Sequence, residues 1–350
     1  MRTILAAALS LASSFNAHAG ECDPVDLRSR FGPVRNQEEF ATCYSFMAAD
    51  LLGASVPGEP LELSAVHVAA LYAKGLAEND ARNMRQIRFA GRRPMIDPNV
   101  VANEDKQGHS FYDRIGGSNF SPFVIAKALE EKHLCLETEL PSESRTLPPR
   151  EKLRRSLLPR ESRDLIREKI DSVEKALVPE TVSVPPHCLA PAWFPGAPLP
   201  VPLPALSNRL RDWTVVEIAK SLSRECRLKF PMPERVVQVR DLRFTEEARP
   251  MRSVSEQLTR GAPVGLSYSV CPFLKNPGAS GVPCGHASIV VARRPAAGGA
   301  CEFLLRNSWG ENCAAYREGI ACEDGHFWVR EDELAPTLRS YFWLAEPQNP

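Results

Sequence analysis

The chain has 350 residues, of which 43% are hydrophobic and 25% charged, and its 43 basic and 43 acidic side chains give a formal net charge of zero. This length and composition are typical of a globular protein with one large domain or two smaller ones around a substantial core. The balanced charge does not fit the strongly basic surface expected of a protein whose main partner is nucleic acid or an anionic membrane, so neither partner is predicted.

The N-terminal residues 1–19 predict a secretory signal peptide. Arg2 supplies the positively charged N-terminal region of such a peptide. The apolar run Ile4–Ala12 that follows is too short to span a bilayer. Ala17–Ala19 places small residues around a cleavage site before Gly20. The mature chain is therefore expected to be exported, either to a periplasm or to the medium. All ten cysteines follow the cleavage point, and in an exported chain most of them should form disulfides.

Residues 20–140 predict an extended entry followed by helices. The segment Thr42–Ala54 is apolar nearly all round, which is typical of a central buried helix, and Thr42 can cap its N-terminus. Two further helices are predicted, the first of them capped by Ser64: Ala65–Gly75 and Ser121–His133. Residues 76–110 are polar and lack periodicity, which predicts a long surface loop between these two helices.

Residues 141–210 differ in composition from the rest of the chain and predict an insertion. Ser162–Leu177 carries apolar residues at helical spacing and predicts an amphipathic helix. In Pro179–Pro204 nine of 26 residues are proline, which excludes a regular helix or a central strand and favours an extended strap. The strap is either a lid over a cleft or a surface insertion, and the sequence leaves both alternatives open.

Residues 211–350 change to short β-branched or alternating runs separated by turns, which is the pattern of strands. Five strands are predicted: Arg235–Phe244, Pro263–Val270, His286–Arg294, Glu302–Trp309 and Gly325–Glu331. A helix at Ser253–Gly261 leads into the second of them. A chain that is helical first and β-rich second predicts the α+β fold class with two subdomains.

Three residues that are far apart in the sequence have the chemistry of a nucleophilic site: Cys43, His286 and Asn307. A helix start and a nearby histidinium both lower the pKa of a thiol, which makes it a better nucleophile. Asn307 can fix the tautomer of His286, and Gln37 can stabilise an oxyanion beside the backbone N–H of Cys43. Taken singly, each also has a structural explanation, as a disulfide cysteine, a structural histidine or a turn asparagine.

Together these residues stand in motifs that resemble those of the papain-like cysteine peptidases. Gln37, Cys43 and Tyr44 match the family's glutamine, its cysteine six residues later at a helix start, and the aromatic residue that follows. Other segments resemble the family's histidine strand, asparagine motif, closing strand, glycine pair and pocket strand: GHASIVVA, RNSWGENC, GHFWVRED, GGSNF and GAPVGLSYSV. The resemblance covers residues 26–135 and 250–346, about 60% of the chain.

The resemblance implies a two-subdomain fold, with a helical left subdomain, an antiparallel β-barrel-like right subdomain and a cleft between them. It implies an exported enzyme that hydrolyses peptide bonds of a peptide or polypeptide substrate, without a cofactor or metal. The implied catalytic residues are Cys43, His286, Asn307 and Gln37. The implied substrate-binding residues are Gly116, Gly117, Ser267, Ala287 and Trp309, and Trp309 is also expected to shield the bond between histidine and asparagine.

The sequence departs from the family pattern around the cysteine. The family signature C-G-[SA]-C-[WY] reads FATCY here, so Phe40 replaces the first cysteine, and Glu38 replaces the glycine expected after the glutamine. His286 follows Cys43 by 243 residues, against roughly 130–150 in the family, and the insertion at 141–210 accounts for most of the difference. These departures keep open a catalytically silent scaffold used for binding, and another acyl transferase of the transglutaminase kind.

The remaining cysteines predict structural bonds rather than a metal site. Cys271–Cys284 and Cys313–Cys322 are expected to close local loops in the β-rich part as disulfides. Cysteine–histidine neighbours such as Cys322 with His326 lack the paired spacing of a zinc site, so no metal is predicted.

Overall fold

The computed structural model describes residues 22–37, 43–77, 87–89, 121–142, 226–242, 247, 249–277 and 284–347. Several predicted features lie outside the described residues: the signal peptide, the Thr42 cap, Gly116 and Gly117, the amphipathic helix Ser162–Leu177 and the strap Pro179–Pro204.

Five α-helices are present in the described part of the chain: α1 Cys43–Ala54, α2 Ala65–Ala77, α3 Ser121–Glu130, α4 Pro250–Thr259 and α5 Glu331–Leu334. The predicted cap of α2 is confirmed, because the hydroxyl of Ser64 accepts a 3.1 Å hydrogen bond from the backbone N–H of His67. Helix α3 ends three residues earlier than predicted. Lys132 adopts a left-handed backbone with a φ of 57°, which ends the helical path, and His133 opens a strand.

Eleven strands are found among the described residues: β1 Val25–Asp26, β2 Ile87–Phe89, β3 His133–Cys135, β4 Lys229–Pro231, β5 Val236–Asp241, β6 Val264–Ser269, β7 Gly285–Pro295, β8 Cys301–Arg306, β9 Cys322–Glu323, β10 His326–Arg330 and β11 Leu338–Ala345. Nine form one sheet in the order β2-β5-β11-β6-β7-β8-β10-β9, with β1 beside β7, and β3 pairs with β4 separately. The pairings are antiparallel except that of β2 with β5. Helices combined with a largely antiparallel sheet confirm the predicted α+β class.

The five predicted strands are present as β5, β6, β7, β8 and β10, each within a few residues of the expected bounds. The surface loop predicted over residues 76–110 is wrong at β2, which joins the sheet edge. Strand β11 was not predicted, although it pairs with both β5 and β6 inside the sheet. Its continuous apolar run Tyr341–Leu344 has no alternation, which removes the periodic signal of a half-exposed strand.

Helix α1 lies at the centre of the core, as its all-round apolar surface predicts. Ten of its twelve residues are buried, and it packs against α2, α3 and β7. The opposite face of the sheet is covered by α4 and a second apolar cluster that includes Val254, Tyr268 and Phe327. Because α1 packs along β7, its first residue Cys43 lies beside Ala287, one residue after His286.

Four disulfides join eight of the ten cysteines: Cys22–Cys301, Cys135–Cys226, Cys271–Cys284 and Cys313–Cys322. The two predicted local disulfides are therefore confirmed. Cys43 is a free thiol, and Cys188 lies outside the described residues. Four disulfides are typical of a protein that folds in an oxidising compartment outside the cytosol. Among the helices the structure describes, none is long and apolar enough to cross a membrane.

Buried His67 makes the stability of the fold dependent on pH. Its Nδ1 accepts a 3.2 Å hydrogen bond from the backbone N–H of Cys135, and burial lowers the pKa of the imidazole from 6.5 to about 4. The unfolded chain therefore binds a proton at a higher pH than the native chain does. Neutral His67 therefore contributes about 3 kcal/mol to the free energy of unfolding above pH 6.5, and this contribution is lost as the pH falls toward 4.

The variant His67→Asn is expected to flatten this pH dependence. Asparagine keeps an acceptor near the position of Nδ1 and does not titrate, so the free energy of unfolding should fall less between pH 7 and pH 4.5 than in the wild type. Urea unfolding at the two pH values, with the disulfides intact, measures the difference. An equal loss of unfolding free energy in wild type and variant would contradict the conclusion that His67 is neutral in the native protein.

Candidate active site

Cys43 is the first residue of α1 and is the free cysteine in the part of the chain that the structure describes. Its side chain is half-buried, and its sulfur lies within reach of the backbone N–H groups of Ala287 and Tyr44. The helix start and the start of β7 therefore meet at this sulfur. The arrangement brings the predicted nucleophile to the strand that carries His286, 243 residues away in the sequence.

His286 and Asn307 form a buried hydrogen-bonded pair. Nε2 of His286 lies 2.6 Å from Oδ1 of Asn307. That oxygen also accepts a 2.8 Å bond from the backbone N–H of Ser308, while Nδ2 donates a 2.5 Å bond to the hydroxyl of Tyr316. These two bonds identify Oδ1 as the acceptor end of the amide, so Nε2 of His286 carries the proton and donates it. Nδ1 then keeps a lone pair and can accept a proton.

Aromatic rings surround the pair and keep it away from water. The ring centre of Trp309 lies 4.6 Å from that of His286, and the ring of Tyr268 meets the imidazole edge-on at 5.9 Å. His286 and Asn307 are 4% and 3% exposed, so their hydrogen bond is not in competition with solvent. Trp309 thus lies where the resemblance expects a shielding ring.

Gln37 is fixed to the same segment by Ser308. The side-chain Oε1 of Gln37 accepts a 2.5 Å bond from the hydroxyl of Ser308, and its backbone N–H donates to the Ser308 carbonyl at 2.7 Å. Because the oxygen end of the amide is held, the nitrogen end is the donor end of this side chain. Ser308 therefore orients both Gln37 and Asn307. Residues 38–42 between Gln37 and Cys43, among them Glu38, lie outside the described residues.

The electrostatic state of the thiol differs from the expectation based on the helix start. Burial raises the pKa of Cys43 from 9.0 to about 11, although the nearby backbone N–H groups act in the opposite direction. Burial also lowers the pKa of His286 from 6.5 to about 4, although the hydrogen bond that His286 donates to Asn307 acts in the opposite direction. The N–H groups at the helix start thus lower the pKa of the thiol as predicted, but the net shift is upward. Loss of solvation outweighs the helix dipole, so thiol and imidazole are both neutral near pH 7.

Alkylation of Cys43 by iodoacetamide is expected to be slow at neutral pH and to accelerate as the pH rises. With the pKa of the thiol at about 11, the thiolate fraction at pH 8 is at least tenfold below that of a free cysteine. Rates measured from pH 5 to pH 10 by mass spectrometry, with glutathione as reference, test this. A rate that is already high and constant from pH 5 would instead indicate a thiolate–imidazolium pair.

A buried charge network connects the three segments that carry Gln37, Cys43 and Asn307. Asp50 of α1 accepts a 2.5 Å bond from Arg35 on one oxygen and a 2.8 Å bond from Arg306 on the other. Arg35 also donates a 2.8 Å bond to Glu137. Burial by itself would raise the pKa of Asp50, but the two guanidinium groups hold it below its usual value. Asp50 is therefore an anion that bridges two cations.

Sequence reasoning did not find this network, nor the roles of Ser308, Tyr316 and Tyr268. Two of the residues left a signal, since Arg35 stands two residues before Gln37 and Arg306 is the first residue of the asparagine motif RNSWGENC. Asp50 left no signal, because its partners Arg35 and Arg306 are 15 and 256 residues away in the sequence. Tyr316 left none either, because its partner Asn307 lies nine residues away. Only folding brings these side chains into contact.

Two of the predicted substrate-binding residues are neighbours in the sheet. Ser267 of β6 pairs with Ala287 of β7, and both are buried next to the histidine. Gly116 and Gly117 lie outside the described residues. Cys284, which neighbours His286 in sequence, and Cys322, which neighbours His326, are both in disulfides and have no thiolate to offer a metal.

No family model and no curated protein matches this sequence. The structure is similar to papain-like cysteine proteases. Procathepsin L 3 of the Tenebrio molitor larval midgut is 10% identical over 95% of this chain and 72% of its own, with a TM-score of 0.45. Xylellain, a cysteine protease from Xylella fastidiosa, is 14% identical over 93% of this chain and 86% of its own, with a TM-score of 0.42. PepW from Lactobacillus rhamnosis is 11% identical over 99% of this chain and 89% of its own, with a TM-score of 0.46.

Proposed function

We propose that this protein is an exported papain-like cysteine peptidase that hydrolyses peptide bonds of a peptide or polypeptide substrate. One observation carries the proposal. A free cysteine at the start of a buried helix lies against the strand start that holds a histidine, and that histidine donates a 2.6 Å hydrogen bond to an asparagine. A thiol, a base and an orienting amide are the parts that nucleophilic acyl transfer requires.

The attack on the substrate begins with a neutral thiol. As Sγ of Cys43 bonds to the carbonyl carbon, Nδ1 of His286 takes the thiol proton and the carbonyl electrons move to oxygen. The amide of Gln37 and the backbone N–H of Cys43 donate hydrogen bonds to that oxyanion. When the intermediate collapses, the C–N bond breaks and the leaving amine takes the proton from His286. A water molecule deprotonated by His286 then hydrolyses the thioester and regenerates the thiol.

The other site residues orient the substrate and the base. Asn307 keeps His286 in the tautomer whose Nδ1 lone pair faces the reaction, and the ring of Trp309 keeps water from competing for their bond. We propose that Gly116 and Gly117 hold the substrate backbone, and that Ser267 and Ala287 line the pocket for a substrate side chain. These assignments follow the family resemblance of their motifs.

Labelling with an irreversible peptidyl epoxide tests the proposal. The mature protein, with its four disulfides intact and Cys43 kept as a thiol by mild reductant, is expected to be modified at Cys43 alone among its described cysteines, because the others are in disulfides and only Cys43 has the base beside it. The His286→Ala variant serves as the control and should label at least tenfold more slowly. Absence of labelling in a folded protein would contradict the peptidase and favour the silent scaffold.

A transglutaminase-like acyl transferase differs from a peptidase in its acceptor. With a peptide ester as donor, the proposed peptidase should release mainly the free acid even when a primary amine is added. Predominant formation of the amide would favour the acyl transferase instead. Asn307, rather than an aspartate, beside the histidine supports hydrolysis.

The organisation of the whole chain forms part of the same proposal. We propose residues 1–19 as a signal peptide, 20–140 as the helical subdomain, 141–210 as an insertion and 211–350 as the β-rich subdomain. The four disulfides support a periplasmic or secreted location.

A further inference from the structure

A cavity lies at the far end of α1 from Cys43. It has a volume of about 190 Å³ and is lined by residues of α1, of the turn before β6, and of the end of β11 and its flanks. The charged residues that line it are Arg30, Arg235 and Glu346. A helix of twelve residues is about 18 Å long, so this cavity is separate from the proposed catalytic site.

Arg30 places an unbalanced positive charge at this cavity. Its guanidinium donates to the carbonyl oxygens of Ala54, at 2.5 Å, and of Gly261. In the described part of the chain no carboxylate pairs with Arg30. The pKa of Arg30 lies below its usual value because of burial and because of the neighbouring charge of Arg235. A guanidinium has five N–H donors, so those that do not bind the two carbonyls remain for a ligand.

Arg235 adds a second cation that is only loosely neutralised. It is 3.1 Å from Glu346, whose side chain is 83% exposed, and an ion pair with so exposed a partner contributes little. The cavity thus carries two guanidinium groups and one solvent-exposed carboxylate. Guanidinium groups match the oxygen pairs of carboxylates and phosphates, and such charge-assisted bonds are the stronger kind.

We propose that Arg30 and Arg235 form a binding site for a small oxyanion, either a phosphate group or a carboxylate. The cavity is far larger than the roughly 10–15 Å³ that one water requires and smaller than the roughly 300–1,000 Å³ pockets that hold drug-sized ligands. The ligand is therefore a small anion, or the charged end of a larger molecule, that takes the place of Glu346 beside Arg235. This site is independent of the peptidase proposal.

Calorimetry and thermal unfolding test the site without any use of enzyme activity. Inorganic phosphate and acetate are titrated at constant ionic strength set with chloride, with acetamide as the uncharged counterpart of acetate. Saturable binding of phosphate or acetate, but not of acetamide, is expected. Tighter binding of phosphate identifies a phosphate-bearing ligand, and tighter binding of acetate identifies a carboxylate. Absence of saturable binding by both anions would overturn the proposal.

Charge variants locate the binding. Arg235→Gln should weaken it about tenfold while leaving the Arg30 bonds to the two carbonyls in place. Glu346→Gln removes the competing carboxylate and should tighten binding severalfold. The exposed Arg330, which does not line the cavity, gives the matched control Arg330→Gln, with unchanged affinity expected. Equal weakening in Arg330→Gln and Arg235→Gln, or no tightening in Glu346→Gln, would show non-specific binding and overturn the proposal.

Discussion

Replacing Cys43 by serine is expected to lower the rate constant for peptide hydrolysis by a factor on the order of 10⁵ or more. The loss of a nucleophile from an assembled site has this size, because the base and the oxyanion donors act through it. Serine is close to cysteine in size, but its hydroxyl has a far higher pKa, and a neutral imidazole with a pKa of about 4 is a poor base for it. Steady-state hydrolysis of a fluorogenic peptide measures the effect.

The fold of Cys43→Ser should be unchanged, which separates chemistry from stability. Cys43 is half-buried and is in no disulfide, so its replacement leaves the core of α1 intact. The melting temperature should therefore stay within a few degrees of wild type. Thr259→Ala on α4, whose hydroxyl bonds the carbonyl of Ser255, is a remote control that should retain full activity. Equal hydrolysis by Cys43→Ser and wild type would exclude Cys43 as the nucleophile.

Asp50→Asn is expected to destabilise the protein by about 3–5 kcal/mol, the usual cost of removing one partner from a buried ion pair. The carboxylate lies between Arg35 and Arg306, whose side chains are 4% and 2% exposed. An asparagine would leave buried Arg306 facing a neutral acceptor, while Arg35 would keep Glu137 as its carboxylate partner. Because the free energy of unfolding of a native protein is about 5–15 kcal/mol, this single change removes a large part of it. Urea unfolding at pH 7 gives the difference directly.

An exposed ion pair provides the matched control for this prediction. Arg294 and Glu302 are 2.8 Å apart on the surface, and Glu302→Gln should cost less than about 1 kcal/mol. If Asp50→Asn lowers the free energy of unfolding no more than Glu302→Gln does, the buried network does not stabilise the fold.

The same network should affect hydrolysis, because Arg35 and Arg306 stand two and one residues before Gln37 and Asn307. In folded Asp50→Asn the rate constant should fall, while iodoacetamide alkylation of Cys43 changes little. That combination would separate misplacement of the orienting residues from loss of the thiol. Unchanged hydrolysis in the folded variant would limit Asp50 to a role in stability.

Much of the architecture could be predicted from local patterns. The apolar surface of α1, the Ser64 cap and five strands with turns between them depend on residues close in sequence, so their signals lie within short windows. Strands β2 and β11 could not be predicted in this way. One lies in a polar, aperiodic region and the other is a continuous apolar run, and each becomes a strand because β5 offers it a partner.

The amino-acid sequence by itself determined which chemical groups are present and in what motifs: a cysteine after a glutamine, a histidine on a strand, and an asparagine before Ser-Trp-Gly. It also determined the α+β class and the two local disulfides. The tertiary structure decided the state of those groups. It selected the tautomer of His286, because Asn307 accepts a bond from the Ser308 N–H and donates one to the Tyr316 hydroxyl, and burial shifted the pKa values of thiol and imidazole toward their neutral forms. A pKa depends on the solvation and charge around a group, and those surroundings come from segments that only the fold brings together.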